Sequence, residues 1–184
     1  MRWLLFFIPC VLAAQNLQRG HIDLRVVYES QITSEDQWRT DWGAFSKDYL
    51  NTGILDITLR QIGGPSQPIT VTWYFIGHNL REKKLFIYDR GDFTGKIVRG
   101  GVKLLPYSRE LIANREYWRG RNKLTGAEPW GWAVFITQGS RALEEKGSTP
   151  EMIKWVRDNH TEQDAPSASK RATLRFIPQA VGAQ

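Results

Sequence analysis

The chain has 184 residues, 24% of them charged and 12% aromatic, a balance that fits one globular domain and excludes a disordered or low-complexity chain. Its formal charge of +6 is spread along the sequence, not gathered in a block, which suits solubility and argues against a nucleic-acid footprint. Cys10 is its one cysteine, so no disulfide framework or cysteine-based metal site can be assembled within the chain.

Residues 1–14 read as a secretory signal. Arg2 gives a positive start, Trp3 to Leu12 form a short apolar stretch, and Val11 to Ala14 offer small residues for cleavage after Ala13 or Ala14. The apolar run falls short of the roughly 20 residues that a membrane-spanning helix needs, which favours a cleaved signal over an anchor. Phe7-Ile8-Pro9 lacks the small residues of a lipoprotein signal before Cys10. Cleavage would take Cys10 and Arg2 away and leave about 170 residues, enough to bury a core without staples. The expectation is a protein of the periplasm, envelope or exterior with no integral membrane segment after cleavage.

From His21, Ile22, Leu24, Val26 and Tyr28 alternate with polar residues as in a half-buried strand. The acidic stretch 30–51 carries Trp38, Trp42, Phe45 and Tyr49 and reads as a long excursion or an edge hairpin. Leu55, Ile57 and Leu59 alternate again. After the break at Gly63-Gly64-Pro65, Val71, Trp73 and Phe75 share one face of a strand over 69–76, and these two strands are expected to pair as a hairpin. Shorter strands follow over 85–88 and 102–105. The run 130–137 is apolar on both faces, as in a central strand. Glu144-Glu145 reads as a solvated turn. Ser148-Thr149-Pro150-Glu151 combines a capping hydroxyl, an early proline and an acid, which predicts a helix whose Met152, Trp155 and Val156 dock on the sheet. Residues 160–184 read as a flexible tail. About seven short strands with one C-terminal helix predict a mostly β, immunoglobulin-like β-sandwich over 20–157.

The run Val71-Thr72-Trp73-Tyr74-Phe75-Ile76, the later Trp130-Gly131-Trp132-Ala133-Val134 and the Ser148-Thr149-Pro150-Glu151 helix start together resemble a group of uncharacterised exported proteins of planctomycete and verrucomicrobial bacteria. The resemblance spans roughly residues 20–157 and rests on strand-core residues. It implies the fold and export, and no activity.

The chemistry-bearing residues do not converge in sequence. His21, His78 and His160 lack ligand partners at metal-binding spacing. Gly91 to Lys96 is one residue short of a phosphate loop, and Ile97 stands where Ser or Thr is required. Ser140 follows Gly139 without the flanking pattern of a nucleophile elbow. Glu35, Asp36 and Asp41 match neither a calcium loop nor a known carboxylate pair. The expectation is therefore a non-catalytic module without cofactor or metal.

One segment, Tyr117-Trp118-Arg119-Gly120-Arg121-Asn122-Lys123, joins aromatic and cationic groups suited to sugars or polyanions through stacking and charge-assisted hydrogen bonds. Tyr117, Trp118, Arg119, Arg121 and Lys123, with Trp38 and Trp42, are the candidate ligand-binding residues. The partner expected is an envelope protein or a polysaccharide. A carbohydrate-binding module using exposed tryptophans and a hydrolase with unrecognised carboxylates are the alternatives.

Overall fold

Eight antiparallel strands and one short helix are formed by residues 21–39, 45–64, 66, 68–97, 101–118 and 121–160, which the computed structural model describes. β1 (His21–Arg39) and β2 (Phe45–Ile62) make a long hairpin, in register from His21↔Ile62 to Arg39↔Phe45 with one irregularity between Ile32 and Ser34. β3 (Pro68–Asn79) returns as β4 (Lys84–Lys96) through a turn in which Asn79 Oδ1 accepts from the amides of Arg81 and Glu82, each at 3.0 Å.

β5 (Val102–Leu104) and β6 (Leu111–Trp118) both pair with β2, β5 beside residues 57–59 and β6 beside 45–51. β7 (Arg121–Gln138) pairs first with β6 and then with β3. β8 (Arg141–Gly147) lies along the end of β7. The strand order is β1-β2-β6-β7-β3-β4.

Alternation decides which residues meet. Ile22 and Leu24 of β1, with Leu55, Ile57 and Leu59 of β2, are buried against Val71, Trp73 and Phe75 of β3 and Val134 and Ile136 of β7. The opposite face of β3 and β7 presents Tyr74, Ile76 and Ala133 to α1 (Pro150–Asn159), which covers them with Val156, Met152 and Trp155. Two-faced burial explains why β3 and the second half of β7 are apolar without a break. The layers run sheet, core, sheet, helix. At one side Lys146 Nζ of β8 donates to Leu24 O of β1 at 3.0 Å, tying the two sheets together.

The helix begins as its residues dictate. Thr149 Oγ1 accepts from Met152 N at 3.3 Å, and Pro150 stands in the first turn. Ser148 Oγ turns away from the helix and accepts from Trp132 N at 3.3 Å, fixing the helix start to the central strand.

The fold is mostly β and sandwich-like, as expected, and three local readings change. β2 and β3 do not form a hairpin with each other: β2 pairs with β1, β5 and β6, and β3 with β4 and β7. Both strands send their apolar face into one core, so they meet across it and not edge to edge. Glu144 and Glu145 lie in β8, opposite Ile136 and Phe135, and not in a turn. The stretch 108–114 looks helical in sequence but is too short to judge from it; its residues 111–114 open strand β6.

Gly126 is where β7 leaves one sheet for the other. Ala113↔Gly126 is the last pair with β6, and Asn79↔Ala127 the first with β3. Its φ of +85° is favourable for glycine alone, and a Cβ there would lie 2.1 Å from Ile112 O. The same residue's carbonyl accepts from Leu80 N at 3.0 Å, so the β3–β4 turn is pinned at the crossing.

Candidate functional site

Past Gly126 the first sheet runs on by itself. Its extension consists of the second half of β1, residues 45–51 of β2, β6, and residues 121–126 of β7, and among the described residues the β3–β4 unit touches its ladder only where Leu80 N donates to Gly126 O at the crossing. Burial falls away along the same face that fills the core. Leu55 and Gly53 are buried, Asn51, Tyr49 and Lys47 are half-buried, and on β6 Ala113 is buried while Arg115 and Tyr117 are exposed. Outside the sandwich the same face carries Lys47 and Tyr49 on β2 and Arg115 and Tyr117 on β6, with Glu35 opposite Tyr49 on β1.

The register explains how these groups meet. Lys47 pairs with Arg115, Tyr49 with Ala113, and Arg115 with Leu124, and directly opposed residues in an antiparallel ladder share a face. Lys47 Nζ sits 5.0 Å from the centre of the Tyr49 ring, and Arg115 Nη1 donates to Tyr117 Oη at 3.2 Å. That hydrogen bond is also what holds the Arg115 guanidinium above its ordinary range. Two cations are thus held against two phenol rings on one surface, half-buried at Lys47 and Tyr49 and exposed at Arg115 and Tyr117. Such a ledge offers hydrogen-bond donors to an anion and flat rings to an apolar or sugar face.

The other face of the extension is differently made. Asn114 Nδ2 donates to Ser46 Oγ at 2.8 Å and to Asp48 Oδ1, and Lys123 Nζ lies 3.8 Å from Glu116 Oε2. Lys123 is matched there by Glu116 across the strands.

The sequence-predicted residues are divided by this geometry. Tyr117 stands on the ledge, whereas Lys123 stands on the opposite face with Glu116, so the segment 117–123 is not one patch but a hairpin end with two sides. Trp118 pairs with Arg121 at that end, and Trp38 pairs with Ser46 on the neighbouring strands. The topology therefore brings Trp38 and the Tyr117 segment, far apart in sequence, to one end of the sheet. Arg119 and Trp42 lie outside the described residues, as do Asp41, the signal segment with Cys10, and residues 161–184. Glu35 and Asp36 stand opposite Tyr49 and Asp48.

Lys47, Tyr49 and Arg115 were missed. Their signal was the period-two spacing Lys47-x-Tyr49 and Arg115-x-Tyr117, which marks shared faces once both stretches are read as strands.

Other chemistry-bearing groups are committed to the fold. Ser108 Oγ accepts from Gly53 N at 2.7 Å and from Tyr88 Oη at 3.2 Å and donates to Arg109 O at 2.9 Å, which uses its proton and both lone pairs. Burial pushes the Tyr88 hydroxyl far above its ordinary range, opposed by Ser108, and raises neighbouring Tyr28 in the same way. A depression of about 270 Å³ is lined by Phe86, Ile87, Tyr88, Arg109, Glu110 and Leu111. Arg109 is engaged there, donating to Tyr88 O while its backbone amide donates to Asp89 Oδ2 at 2.7 Å. Trp130 is 53% exposed and packs at 4.8 Å on the ring of His78, whose Nδ1 lies 3.7 Å from Glu128 Oε1. No helix among the described residues is long and apolar enough to cross a membrane.

No protein-family model and no curated protein matches the chain. A solved structure from the verrucomicrobial bacterium Akkermansia muciniphila is 11% identical and covers 84% of this chain and 84% of its own, with a TM-score of 0.23. A superposition at that level carries no argument about fold or function.

Proposed function

We propose that the protein is an exported, non-catalytic binding module of the cell envelope that holds an acidic polysaccharide on the ledge formed by Lys47, Tyr49, Arg115 and Tyr117. The observation that carries this reading is the change along one face of β2 and β6, from apolar under the second sheet to the aromatic and cationic group Lys47, Tyr49, Arg115 and Tyr117 beyond it. Carboxylate groups of such a chain would take charge-assisted hydrogen bonds from Lys47 and Arg115, and its sugar rings would lie on the tyrosines. Trp38 and Trp118, placed by register at the same end, supply the alternative of a module for neutral sugars. The absence of an activity is part of the proposal: Ser108 is spent on its hydrogen bonds, and Arg109 on β4.

A panel of acidic and neutral glycans tested against the full chain at low salt separates the readings. Binding of uronate-bearing polymers that weakens as salt rises supports the ledge, because exposed charges are screened within about 10 Å at 0.1 M. Binding confined to neutral glycans supports the tryptophan module, and binding to neither leaves a structural envelope role.

A further inference from the structure

β7 gains one residue on β3 between the pairs Ile76↔Gly131 and Gly77↔Pro129, so Trp130 stands in the ladder without a counterpart. A bulge of this kind re-aims a side chain and marks a built feature of a sheet. The backbone on both sides of it is constrained. Pro129 has its φ locked by its own ring. Gly131 lies so close under the helix start that a Cβ on it would stand 2.6 Å from Ser148 Oγ.

The side chain at this bulge is half in solvent. Trp130 is 53% exposed, whereas Trp73 and Trp132 are buried in the core. The His78 ring supports the indole from one side, with ring centres 4.8 Å apart and planes tilted by 43°. His78 is directly opposite Glu128 in the β3–β7 ladder, so the carboxylate shares a face with the imidazole. Glu128 Oε1 lies 3.7 Å from His78 Nδ1, beyond hydrogen-bonding distance, and its side chain is 41% exposed. His78 Nδ1 is buried without a hydrogen-bond partner, so the imidazole leaves the carboxylate oxygens free for another donor.

We propose that Trp130 and Glu128, backed by His78, form a second binding site that takes a neutral sugar ring. A pyranose presents a flat C–H face to the indole and hydroxyl groups that donate to a carboxylate. Charge decides the class of sugar. A uronate or phosphate group would meet Glu128 and be repelled, so this site and the cationic ledge select opposite ligands. Among the described residues no Lys or Arg forms an ion pair with Glu128, although Arg115 of the ledge feels its charge. An ammonium group matches the carboxylate, but such cations are recognised by cages of several rings, and here a single indole is offered. The site shares no residue with the ledge and does not rest on acidic-glycan binding there.

NMR titration of the full chain with neutral oligosaccharides of glucose, of mannose and of galactose tests the proposal, read at the indole N–H resonances. The Trp130 resonance is the one missing from Trp130→Phe. It shifts to saturation with at least one of the three, and raising salt leaves the affinity unaltered. Trp130→Ala lowers that affinity by about tenfold or more, and Glu128→Ala by about fivefold, through the lost stacking and the lost acceptor. Circular dichroism checks the fold of each variant. If Trp130→Ala fails to fold, Trp130→Phe serves, and its smaller ring weakens binding by less. Trp118→Ala binds as wild type does. A Trp130 resonance that moves with none of the three sugars overturns the proposal. So does affinity kept in the Trp130 variants, or lost in Trp118→Ala in their place. A uronate oligosaccharide that shifts the Trp130 resonance as strongly as the neutral ones contradicts the role given to Glu128.

Discussion

Trp73 and Gly91 stand opposite each other in the β3–β4 ladder, and the indole covers the glycine so closely that a Cβ on Gly91 would lie 2.5 Å from Trp73 Cζ2. The ring is 3% exposed and held by Val71 and Phe75 on its own strand, so it has no room to retreat. Trp73→Ala is expected to cost about 3–5 kcal/mol, as for other buried large aromatics. Gly91→Ala is expected to cost about 1–3 kcal/mol through overpacking. In the Trp73→Ala background the added methyl meets no ring, so the Gly91→Ala penalty shrinks; denaturant melts of the four proteins in the cycle measure this coupling.

The crossing at Gly126 sets up a second test. Any side chain there meets both a positive φ and the Ile112 carbonyl. Gly126→Ala is expected to lose about 1–3 kcal/mol, the range for a residue forced into a sparsely populated backbone conformation. Hydrogen exchange locates the damage. Amides of β6 and of the first part of β7 should lose protection more than those of β3 and β4, whose ladder lies beyond the crossing; uniform loss would mean that the extension does not unfold separately.

Tyr28 and Tyr88 predict an alkaline limit. Burial raises both hydroxyls in the folded state above the value of about 10 for an exposed tyrosine. Their stabilising contribution is whole below pH ~10, where folded and unfolded chains both keep the proton. Above it the unfolded chain releases protons first, so stability falls with pH, for Tyr88 by up to about 1.4 kcal/mol per pH unit. Tyr88→Phe gives up the hydrogen bond to Ser108 at neutral pH but flattens the alkaline slope, and unfolding measured from pH 8 to 11 shows whether it does.

Much of this fold can be read from side-chain alternation. Ile22 to Tyr28, Leu55 to Leu59 and Val71 to Phe75 each bury the face their spacing indicates, and Thr149-Pro150-Glu151 starts a helix where the residues say it should. Alternation states which face is buried, and says nothing about which edge is paired. That is why β2 and β3, adjacent in sequence and facing one core, were expected to pair. β8 and β6 were hidden for another reason: Glu144, Glu145, Arg115 and Glu116 lie on strands with little or no apolar face of their own. The ledge was half legible. Tyr117 stood out beside its arginines, but its partners Lys47 and Tyr49 come from a stretch more than sixty positions earlier, and the β2–β6 register alone brings them together.

Export is tested at the terminus. The secreted form is expected to begin near Ala14 or Gln15, and intact-mass measurement of protein recovered from the exterior or periplasm checks it. Retention of residues 1–13 would contradict cleavage and return the apolar stretch to the role of an anchor.

The most direct test of the binding ledge is calorimetric titration of the full chain with a short uronate oligosaccharide at low salt. A short ligand keeps avidity out of the measurement. Wild type binds, Lys47→Glu/Arg115→Glu loses at least tenfold in affinity, and Tyr49→Ala/Tyr117→Ala also weakens binding through lost stacking, by about 1 kcal/mol or more. Arg90→Glu/Arg141→Glu, with the same change in net charge at exposed positions of the second sheet, binds as wild type does. Equal loss in both charge-reversed variants, or unaltered binding by Lys47→Glu/Arg115→Glu, would contradict the assignment of the site to this ledge.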